Sequence, residues 1–203
     1  EGGVITTNSQ EYKNSLISFR SHGITKNDKM FTNNTFKNSN MYGAWSYEMQ
    51  ELGYNYRAST LNVALGLSQL KKLDYFVKKR SNIAHIYDET FKEMSHDFEP
   101  VKRNKNYNHG YHLYPILIKG KNPLTIKKRV IEFLKNKNIG SQVHYIPIPF
   151  QPFWKDKSNI NNFKGAIDYF SRCLSIPIYP TMKKSEIKYV AESIRSAFKK
   201  KSN

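Results

Sequence analysis

The chain has 203 residues, of which 38% are hydrophobic and 14% aromatic, and its formal net charge is +17. This apolar content excludes an intrinsically disordered chain, and the length allows one large domain or two small ones. Cys173 is the only cysteine, which excludes an intrachain disulfide framework and is compatible with the reducing cytoplasm, where we expect the protein to reside. No apolar stretch approaches the roughly 18 residues of a membrane span, and residues 1–4 show no leader, so we expect no membrane association.

The positive charge is spread along the chain rather than clustered. Of the 33 cationic residues, 26 are lysine and 7 are arginine, and they run from Lys13 to Lys201. Recognition of bases favours arginine, whereas scattered lysine attracts any polyanion. Asparagine is abundant as well. The composition is explained better by a lysine- and asparagine-rich coding bias than by a nucleic-acid ligand, and we expect no nucleic-acid partner.

The first elements along the chain are a strand, a helix and a long loop. Residues 2–7 are glycines followed by β-branched residues, which predicts a strand, and residues 11–19 have the pattern of a helix. Residues 21–47 show no sustained period, which predicts a loop, and loops of this length commonly serve a site. From Thr60 the pattern predicts a helix, with Ser59 or Thr60 able to cap its first amides.

A second, longer helix follows and marks the predicted domain boundary. Apolar residues at spacings of three and four over residues 76–94 predict an amphipathic helix that ends before Pro100. Beyond Pro100 the pattern changes to short alternating pieces. The sequence therefore predicts two domains, residues 1–97 and residues 98–203.

The C-terminal part alternates short strands and helices. Residues 112–118 predict a strand, which Pro115 would confine to a sheet edge or a bulge because proline lacks a ladder donor. Residues 147–154 contain three prolines, which predicts a stiff extended loop and excludes a helix. Ser185 is predicted to cap the final helix. The other predicted elements are a helix over residues 125–136, a strand over 142–145, a helix over 166–170 and an extended segment over 173–178.

Motifs that carry chemistry by themselves are sparse. Neither a GxGxxG turn nor a GxxxxGK[S/T] loop occurs, so the two commonest glycine-rich phosphate cradles are missing. His109 and His112 are three apart, and a strand would turn them to opposite faces, so we expect no metal site. Cys173 lies between apolar residues and is predicted to be a small core residue. Asp88 and Glu89 lie on a helix of mixed charge and are predicted to face solvent.

Longer segments, taken in order, are more informative. They are residues 19–25 (FRSHGIT), 52–57 (LGYNYR) running into 64–70 (ALGLSQL), 112–115 (HLYP), 142–145 (QVHY) and 174–177 (LSIP). Together they resemble the DegT/DnrJ/EryC1/StrS family of sugar aminotransferases, which use pyridoxal phosphate. Within the family the chain looks most similar to the UDP-4-amino-4,6-dideoxy-N-acetyl-altrosamine transaminases, which aminate C4 of a UDP-linked 4-keto-6-deoxy sugar. The resemblance covers nearly the whole chain.

The resemblance implies an α/β fold, the C-terminal part of a fold type I (aspartate aminotransferase-like) transaminase. Residues 1–97 would end the large cofactor-binding domain, and residues 98–203 would form the small α+β domain. The lysine that binds the cofactor covalently would lie upstream of residue 1, so no catalytic residue is assigned here and the chain alone is expected to be inactive. The implied enzyme is a cytoplasmic homodimer with shared active sites, with glutamate as the expected amino donor. The alternative is a truncated or split homologue that folds and dimerises without catalysis.

The resemblance also implies two residues for the cofactor. Asn55 matches the family asparagine that reaches across the dimer to the cofactor phosphate, where an amide donor suits a phosphate oxygen; the alternative is a turn residue after Gly53. Arg57 could pair with the phosphate or with the carboxylate of the amino donor, or it could tie its loop to the next helix. Thr60 stands where the family often has an acidic residue, so a role that needs that carboxylate is not implied.

The implied substrate residues come from both parts of the chain. His22 and His144 match positions on the substrate side, where an imidazole can hydrogen-bond a sugar hydroxyl or a nucleotide phosphate. A packed structural histidine is an equally good interpretation of His22. Tyr145, Phe150 and Trp154 could line the cleft for the sugar nucleotide, or they could simply pack the small domain.

Overall fold

The computed structural model divides the chain into two compact units, between Leu70 and Lys71. It describes residues 2–104, 106–157 and 159–199. The division falls earlier than the boundary between residues 97 and 98 that the sequence texture predicts. The physical reason is that the long helix over Leu73–Phe91 buries Ile83, Ala84, Tyr87 and Phe91, and these side chains belong to the core of the second unit.

The first unit consists of short elements joined by loops. Helix α1 spans Gln10–Arg20 and begins after Ser9, whose hydroxyl accepts a hydrogen bond from the Tyr12 N–H at 3.3 Å. Strand β1 (Ile24–Thr25) pairs antiparallel with β2 (Glu48–Met49). The other elements of this unit are a 3₁₀ turn over Asp28–Met30, α2 over Asn34–Lys37 and α3 over Thr60–Leu70.

Hydrogen bonds, rather than a hydrophobic core, fix the loops of this unit. The Glu48 carboxylate accepts from the backbone N–H of Thr32 at 2.9 Å and from that of Asn33 at 3.2 Å. The hydrogen bonds from the hydroxyl and the N–H of Thr32 hold the pKa of Glu48 below its ordinary value. Phe31 is the single buried hydrophobic side chain among the described residues of the unit.

The second unit is built on a three-stranded antiparallel sheet with the order β3-β4-β5. Strand β3 spans Phe98–Pro100, β4 spans Tyr114–Ile118 and β5 spans Cys173–Ile176. In the central strand Ile116 lies opposite Leu174 of β5, and both side chains are fully buried. The sheet therefore forms the floor of a hydrophobic core.

Four helices complete this core. Three of them, over residues 123–136, 164–172 and 184–199, match the sequence predictions closely in their bounds. The helices are α4 over Leu73–Phe91, α5 over Pro123–Asn136, α6 over Lys164–Arg172 and α7 over Lys184–Lys199. Helix α7 buries Ile187, Val190, Ala191, Ile194, Ala197 and Phe198, at the three- and four-residue spacings that its sequence predicts. The mixed α/β architecture agrees with the fold class expected from the sequence.

Pro115 lies in the middle strand, not at an edge or a bulge, so that prediction was wrong. Strand β3 pairs with β4 only as far as Ile116. The Pro115 carbonyl accepts from the Val101 N–H at 3.1 Å, just past the end of β3. The backbone N and O of a residue in an antiparallel strand point toward the same neighbouring strand. The Pro115 nitrogen therefore faces Val101, beyond the last residue pair of β3 and β4, so its missing N–H removes no hydrogen bond from that pairing.

Four local predictions also differ from the structure. Residues 2–7 form no strand, and no described strand pairs with them. Residues 142–145 make a single bridge, between Gln142 and Ser175, rather than a strand. The proline-rich segment forms 3₁₀ turns over Ile148–Phe150 and Pro152–Lys157, which tolerate proline in their first positions. Helix α7 begins before Ser185, and the Glu186 carboxylate accepts from the Lys183 N–H at 2.7 Å in place of the predicted cap.

Candidate active site

The segment that carries Asn55 lies directly against the segment that carries His22. The His22 N–H donates to the Tyr54 carbonyl at 2.8 Å, and the Tyr56 N–H donates to the Arg20 carbonyl at 3.0 Å. These bonds flank the bridge that pairs Asn55 with the residue before His22. Two of the residues assigned from the resemblance are thus brought together in the first unit.

Two glycines allow this close approach of backbone to backbone. A Cβ atom on Gly53 would lie 2.2 Å from the Gly23 nitrogen. A Cβ atom on Gly23 would lie 1.8 Å from the Glu51 carbonyl oxygen, and Gly23 also has a φ of 68° in the left-handed region. Gly23 and Gly53 therefore have a structural role, because they permit the backbone contact that positions Asn55.

The side chains of Asn55 and Arg57 project from this arrangement into solvent. Both residues are exposed, and no described residue hydrogen-bonds to either side chain. The rings of Tyr54 and Tyr56 stack at a centroid separation of 4.8 Å, which steadies the strand-like segment between them. The chain thus offers an amide and a guanidinium whose donors are free to bind an anion such as a phosphate.

His144, in the second unit, is held at both of its ring nitrogens. Nδ1 lies 2.9 Å from the Ser175 hydroxyl and Nε2 lies 2.9 Å from the Gln142 amide oxygen. Because the amide oxygen can only accept, Nε2 carries a proton, and the Ser175 hydroxyl can either donate to Nδ1 or accept from it. The imidazole can hydrogen-bond a sugar nucleotide only by giving up one of these partners.

The side chain of Tyr145, next to His144, is exposed to solvent. Its ring meets the His144 ring edge-on at a centroid distance of 4.7 Å, and 75% of the residue is exposed. Trp154 packs edge-on against Phe153 at 5.2 Å and is 43% exposed, and Phe150 is also exposed. Tyr145 is therefore free to contact a ligand while its position is set by His144.

A cleft of about 1090 Å³ opens beside these residues in the second unit. His144 and Tyr145 both line it, and Trp154 and Phe150 do not. The cleft has further polar and aromatic groups in its wall, including His112, Gln142, Ser175, Tyr179 and Tyr189. No lysine is among the described residues that line it.

A half-buried ionic network that the sequence did not predict supports the second unit. Arg103 donates to both carboxylate oxygens of Asp88, at 2.7 and 3.0 Å, and the Tyr114 hydroxyl donates to Asp88 at 2.6 Å. Burial raises the pKa of Asp88, but the hydrogen bonds from Arg103 and Tyr114 outweigh it and hold the pKa below its ordinary value. The prediction that Asp88 faces solvent was therefore wrong. Its neighbour Glu89 is exposed and pairs with Lys92 at 2.6 Å.

Lys127 is the one buried lysine among the described residues, and it has a structural role. Its ammonium donates to the Phe170 carbonyl and lies 4.4 Å from the centre of the Phe170 ring. Burial lowers the pKa of Lys127.

Cys173 is free and fully buried, as its apolar sequence context predicts. The described residues contain no cluster of three or more potential metal ligands and no helix long and apolar enough to cross a membrane.

The comparison with known families gives this geometry a context. The DegT/DnrJ/EryC1/StrS aminotransferase family matches residues 1–195. The chain belongs to this family. Its enzymes depend on pyridoxal phosphate, and the solved structures similar to the chain include PLP and PMP forms of a putative sugar aminotransferase, Spr1654 from Streptococcus pneumoniae.

Individual family members resemble the chain over nearly its whole length. It is 34% identical over 200 residues to a UDP-4-amino-4,6-dideoxy-N-acetyl-beta-L-altrosamine transaminase of Campylobacter jejuni, with 98% of this chain and 49% of that protein covered. The transaminase of the same name from Helicobacter pylori is 32% identical, with 98% and 48% covered. The solved structure of Helicobacter pylori PseC, an aminotransferase of pseudoaminic acid biosynthesis, superposes with a TM-score of 0.80 at 30% identity, over 95% of this chain and 47% of that one. The chain spans about half the length of the curated relatives it matches.

The residues present fit one end of the family's cofactor. Asn55 and Arg57 supply free hydrogen-bond donors of the kind that a phosphate group accepts. The exposed position of both side chains leaves them accessible to a bound group. The phosphate is the anionic end of the cofactor, which is the kind of group that these donors bind.

Proposed function

We propose that this chain supplies the C-terminal half of a nucleotide-sugar aminotransferase. The net reaction moves an amino group from glutamate to C4 of a UDP-linked 4-keto-6-deoxy sugar, giving the 4-amino sugar and 2-oxoglutarate. The similarity to three UDP-4-amino-4,6-dideoxy-N-acetyl-beta-L-altrosamine transaminases, over 98% of this chain at 32–34% identity, carries this proposal. The free thiol of Cys173 is consistent with the proposed cytoplasmic location.

Asn55 and Arg57 are proposed to bind the cofactor phosphate in the neighbouring subunit of a homodimer. Their exposure and the lack of described partners support this role. The amide of Asn55 donates without adding charge, and the Arg57 fork can bind two phosphate oxygens or the carboxylate of the amino donor. Pyridoxal phosphate, when bound, supplies an electron sink for the amino transfer, and these residues orient it.

The substrate is proposed to lie against the cleft residues of the second unit, and the substrate role that the resemblance implies for His22 stays a prediction. Tyr145 would contact the sugar nucleotide, and His144 would hold Tyr145 in place because both of its ring nitrogens are engaged within the chain. The substrate role that the resemblance implies for Trp154 stays a prediction, since Trp154 does not line this cleft. The covalent lysine is proposed to come from the other half of the enzyme, so proton transfer at C4 is assigned to none of the residues of this chain.

A second candidate is a catalytically inactive homologue that acts as a dimerisation or binding module. The observation that favours it is the second unit's own hydrophobic core, which is what a module that folds without catalysis needs. Both candidates use the same Asn55 surface, and they differ in whether amination occurs once an N-terminal half is present.

The test uses the chain co-expressed with the N-terminal half of the Campylobacter jejuni transaminase. The purified complex is incubated with pyridoxal phosphate, a panel of nucleotide-linked keto sugars and several amino donors, and products are identified by mass spectrometry. Amination of the UDP-4-keto-6-deoxy sugar with glutamate supports the proposal. A complex that binds the cofactor but aminates no sugar supports the inactive module instead.

Asn55→Asp tests the phosphate role within the same complex. The substitution keeps the shape of the side chain but places a carboxylate beside a phosphate, so we expect at least a tenfold loss of cofactor affinity. Asn40→Asp makes the same charge change at another exposed asparagine of the first unit and should leave affinity within about twofold. Equal effects of the two substitutions would contradict the assignment of Asn55.

A further inference from the structure

A second cavity, of about 440 Å³, lies in the second unit beside the pair of Asp88 and Arg103. Its wall consists of Asp88 on α4, the end of β3 and side chains from the described part of the loop over residues 103–111. It shares no described lining residue with the cleft beside His144, and none of the roles implied by the resemblance falls on its wall. Cavities that take small organic ligands measure roughly 300–1,000 Å³, so this one is large enough for such a ligand.

The loop that forms the wall is fastened to α4 at both of its ends. At one end Arg103 donates to both carboxylate oxygens of Asp88, at 2.7 and 3.0 Å. At the other end the Gly110 carbonyl accepts from Nε of Arg80 at 2.7 Å. The next residue, Tyr111, has a φ of 46°, in the left-handed region that aromatic residues rarely adopt. Such backbone persists only where the surrounding structure holds it, and it clusters at binding sites.

Two polar side chains of the wall have their acceptor atoms engaged and their donors free. The Asn106 N–H donates to Oδ1 of Asn104 at 2.9 Å, and the Tyr111 N–H donates to Nδ1 of His109 at 2.9 Å. Because a backbone N–H can only donate, Asn104 is left with its Nδ2 amide donor and His109 carries its proton on Nε2. Neither donor has a hydrogen-bond partner among the described residues. The complement of such a pair is a group that only accepts hydrogen bonds.

The charges around the cavity permit that group to be an anion. The Asp88 carboxylate is compensated by the Arg103 guanidinium and also accepts from the Tyr114 hydroxyl at 2.6 Å, so it is not an open negative site. The chain as a whole carries a formal charge of +17, which attracts anions from a distance. A phosphate group, whose oxygens accept from amide and imidazole donors, meets these conditions.

The wall also offers an aromatic surface. Tyr107 lines the cavity and is 75% exposed. An exposed tyrosine ring can stack on a planar ring of a ligand, and any nucleobase has such a face. An inorganic phosphate would leave this ring without a contact.

We propose that this cavity binds an organic phosphate with a planar ring, such as a mononucleotide. The phosphate oxygens accept from Nδ2 of Asn104 and Nε2 of His109, and the planar ring stacks on Tyr107. The inference does not depend on the proposed function, because it involves neither amino transfer nor any residue of the cleft beside His144.

Titration of the full chain with UMP, followed by NMR, tests the phosphate contact. The side-chain signals of Asn104 and His109 should shift and saturate. Asn104→Asp keeps the oxygen that accepts from the Asn106 N–H but replaces the donor by an acceptor, so UMP should bind at least tenfold more weakly. Asn136→Asp makes the same charge change at an exposed asparagine at the end of α5 and should change the affinity less than twofold. Because both variants have the same net charge, equal weakening would reduce the binding to unspecific attraction and overturn the proposal.

Two partial ligands test the remaining contacts. Ribose 5-phosphate lacks the planar ring and should bind at least fivefold more weakly than UMP, and Tyr107→Ala should remove this difference. Uridine lacks the phosphate and should cause no saturable shift of the Asn104 and His109 signals at the same concentrations. Uridine or ribose 5-phosphate binding as tightly as UMP would overturn the proposal.

Discussion

Replacing Asp88 by Asn tests the ionic network that joins α4 to the central strand. The substitution keeps the shape of the side chain and removes its charge. Three hydrogen bonds meet this carboxylate, two from Arg103 at 2.7 and 3.0 Å and one from Tyr114 at 2.6 Å. A hydrogen bond to a charged group contributes about 1.5–3 kcal/mol, and the carboxylate is one third exposed, with a relative exposure of 33%. Because Asn keeps one acceptor, we expect a loss of about 2 kcal/mol in the free energy of unfolding.

Glu89→Gln is the matched control, one residue away on the same helix. Its carboxylate is 50% exposed and pairs with Lys92, which is 68% exposed. Exposed pairs of this kind contribute about 0.3–0.5 kcal/mol. Urea unfolding followed by circular dichroism at pH 7 measures both variants in the full chain. Equal losses for the two substitutions would refute the assigned role of Asp88.

The cost of Asp88→Asn should also depend on pH. The hydrogen bonds hold the native pKa of Asp88 below its ordinary value, so the carboxylate stabilises the fold above the unfolded pKa of about 3.9 and this contribution is lost as the pH falls through the native pKa. The difference between wild type and variant should be constant from about pH 7 to pH 5 and shrink below about pH 4. A difference that grows on acidification would contradict this sign.

Other consequences of the structure can be measured directly. Gly53→Ala should displace the Asn55 segment and lower cofactor affinity at least tenfold in the assembled complex, since its Cβ would lie 2.2 Å from the Gly23 nitrogen; Gly165→Ala, with no heavy atom within 4 Å, should not. Ser175→Ala removes the partner of Nδ1 and should raise KM for the sugar nucleotide more than it lowers kcat, because it loosens Tyr145 rather than removing a reacting group; a pure kcat effect would contradict this. Retention of the chain on a DNA column should collapse at moderate salt without sequence preference, and sequence-selective binding at physiological salt would contradict the view that the charge is unspecific.

The longer helices could be predicted from the sequence because their signals are local, whereas the short α2 (Asn34–Lys37) lies where a loop was predicted. Ser59, a predicted cap, accepts from the Asn62 N–H at 3.3 Å at the start of α3. The buried face of α7 follows from the spacing of its apolar residues alone. Each of these signals lies within a few residues of the element it predicts, so no knowledge of tertiary contacts was needed.

Features set by distant residues could not be predicted. Pro115 can occupy a central strand because β3 ends at Pro100, which pairs with Ile116, the residue after Pro115. No local pattern shows where β3 ends. Asp88 is paired because Arg103, 15 residues later, folds back onto α4. The local pattern shows only a helix of mixed charge and a proline within a strand. The pairing of Asp88 and the central position of Pro115 depend on tertiary contacts.

The candidate site was predictable in part. Family resemblance assigned roles to Asn55 and His144 but not their surroundings. The partner of His144 at Nδ1 is 31 residues away, so its engagement at both ring nitrogens appears only in the folded chain. Both His144 and Tyr145 were predicted to contact the substrate, and that engagement leaves Tyr145 as the proposed contact of the two.

Transfer of nitrogen from glutamate to the sugar tests the central proposal most directly. The chain is assembled with the Campylobacter jejuni N-terminal half, supplied with pyridoxal phosphate, ¹⁵N-labelled glutamate and the UDP-4-keto-6-deoxy sugar, and the product is analysed by mass spectrometry. The proposal predicts ¹⁵N in the 4-amino sugar from the complex and none from the isolated chain. A cofactor-loaded complex that leaves the keto sugar unlabelled, or labelling by the isolated chain, would contradict it.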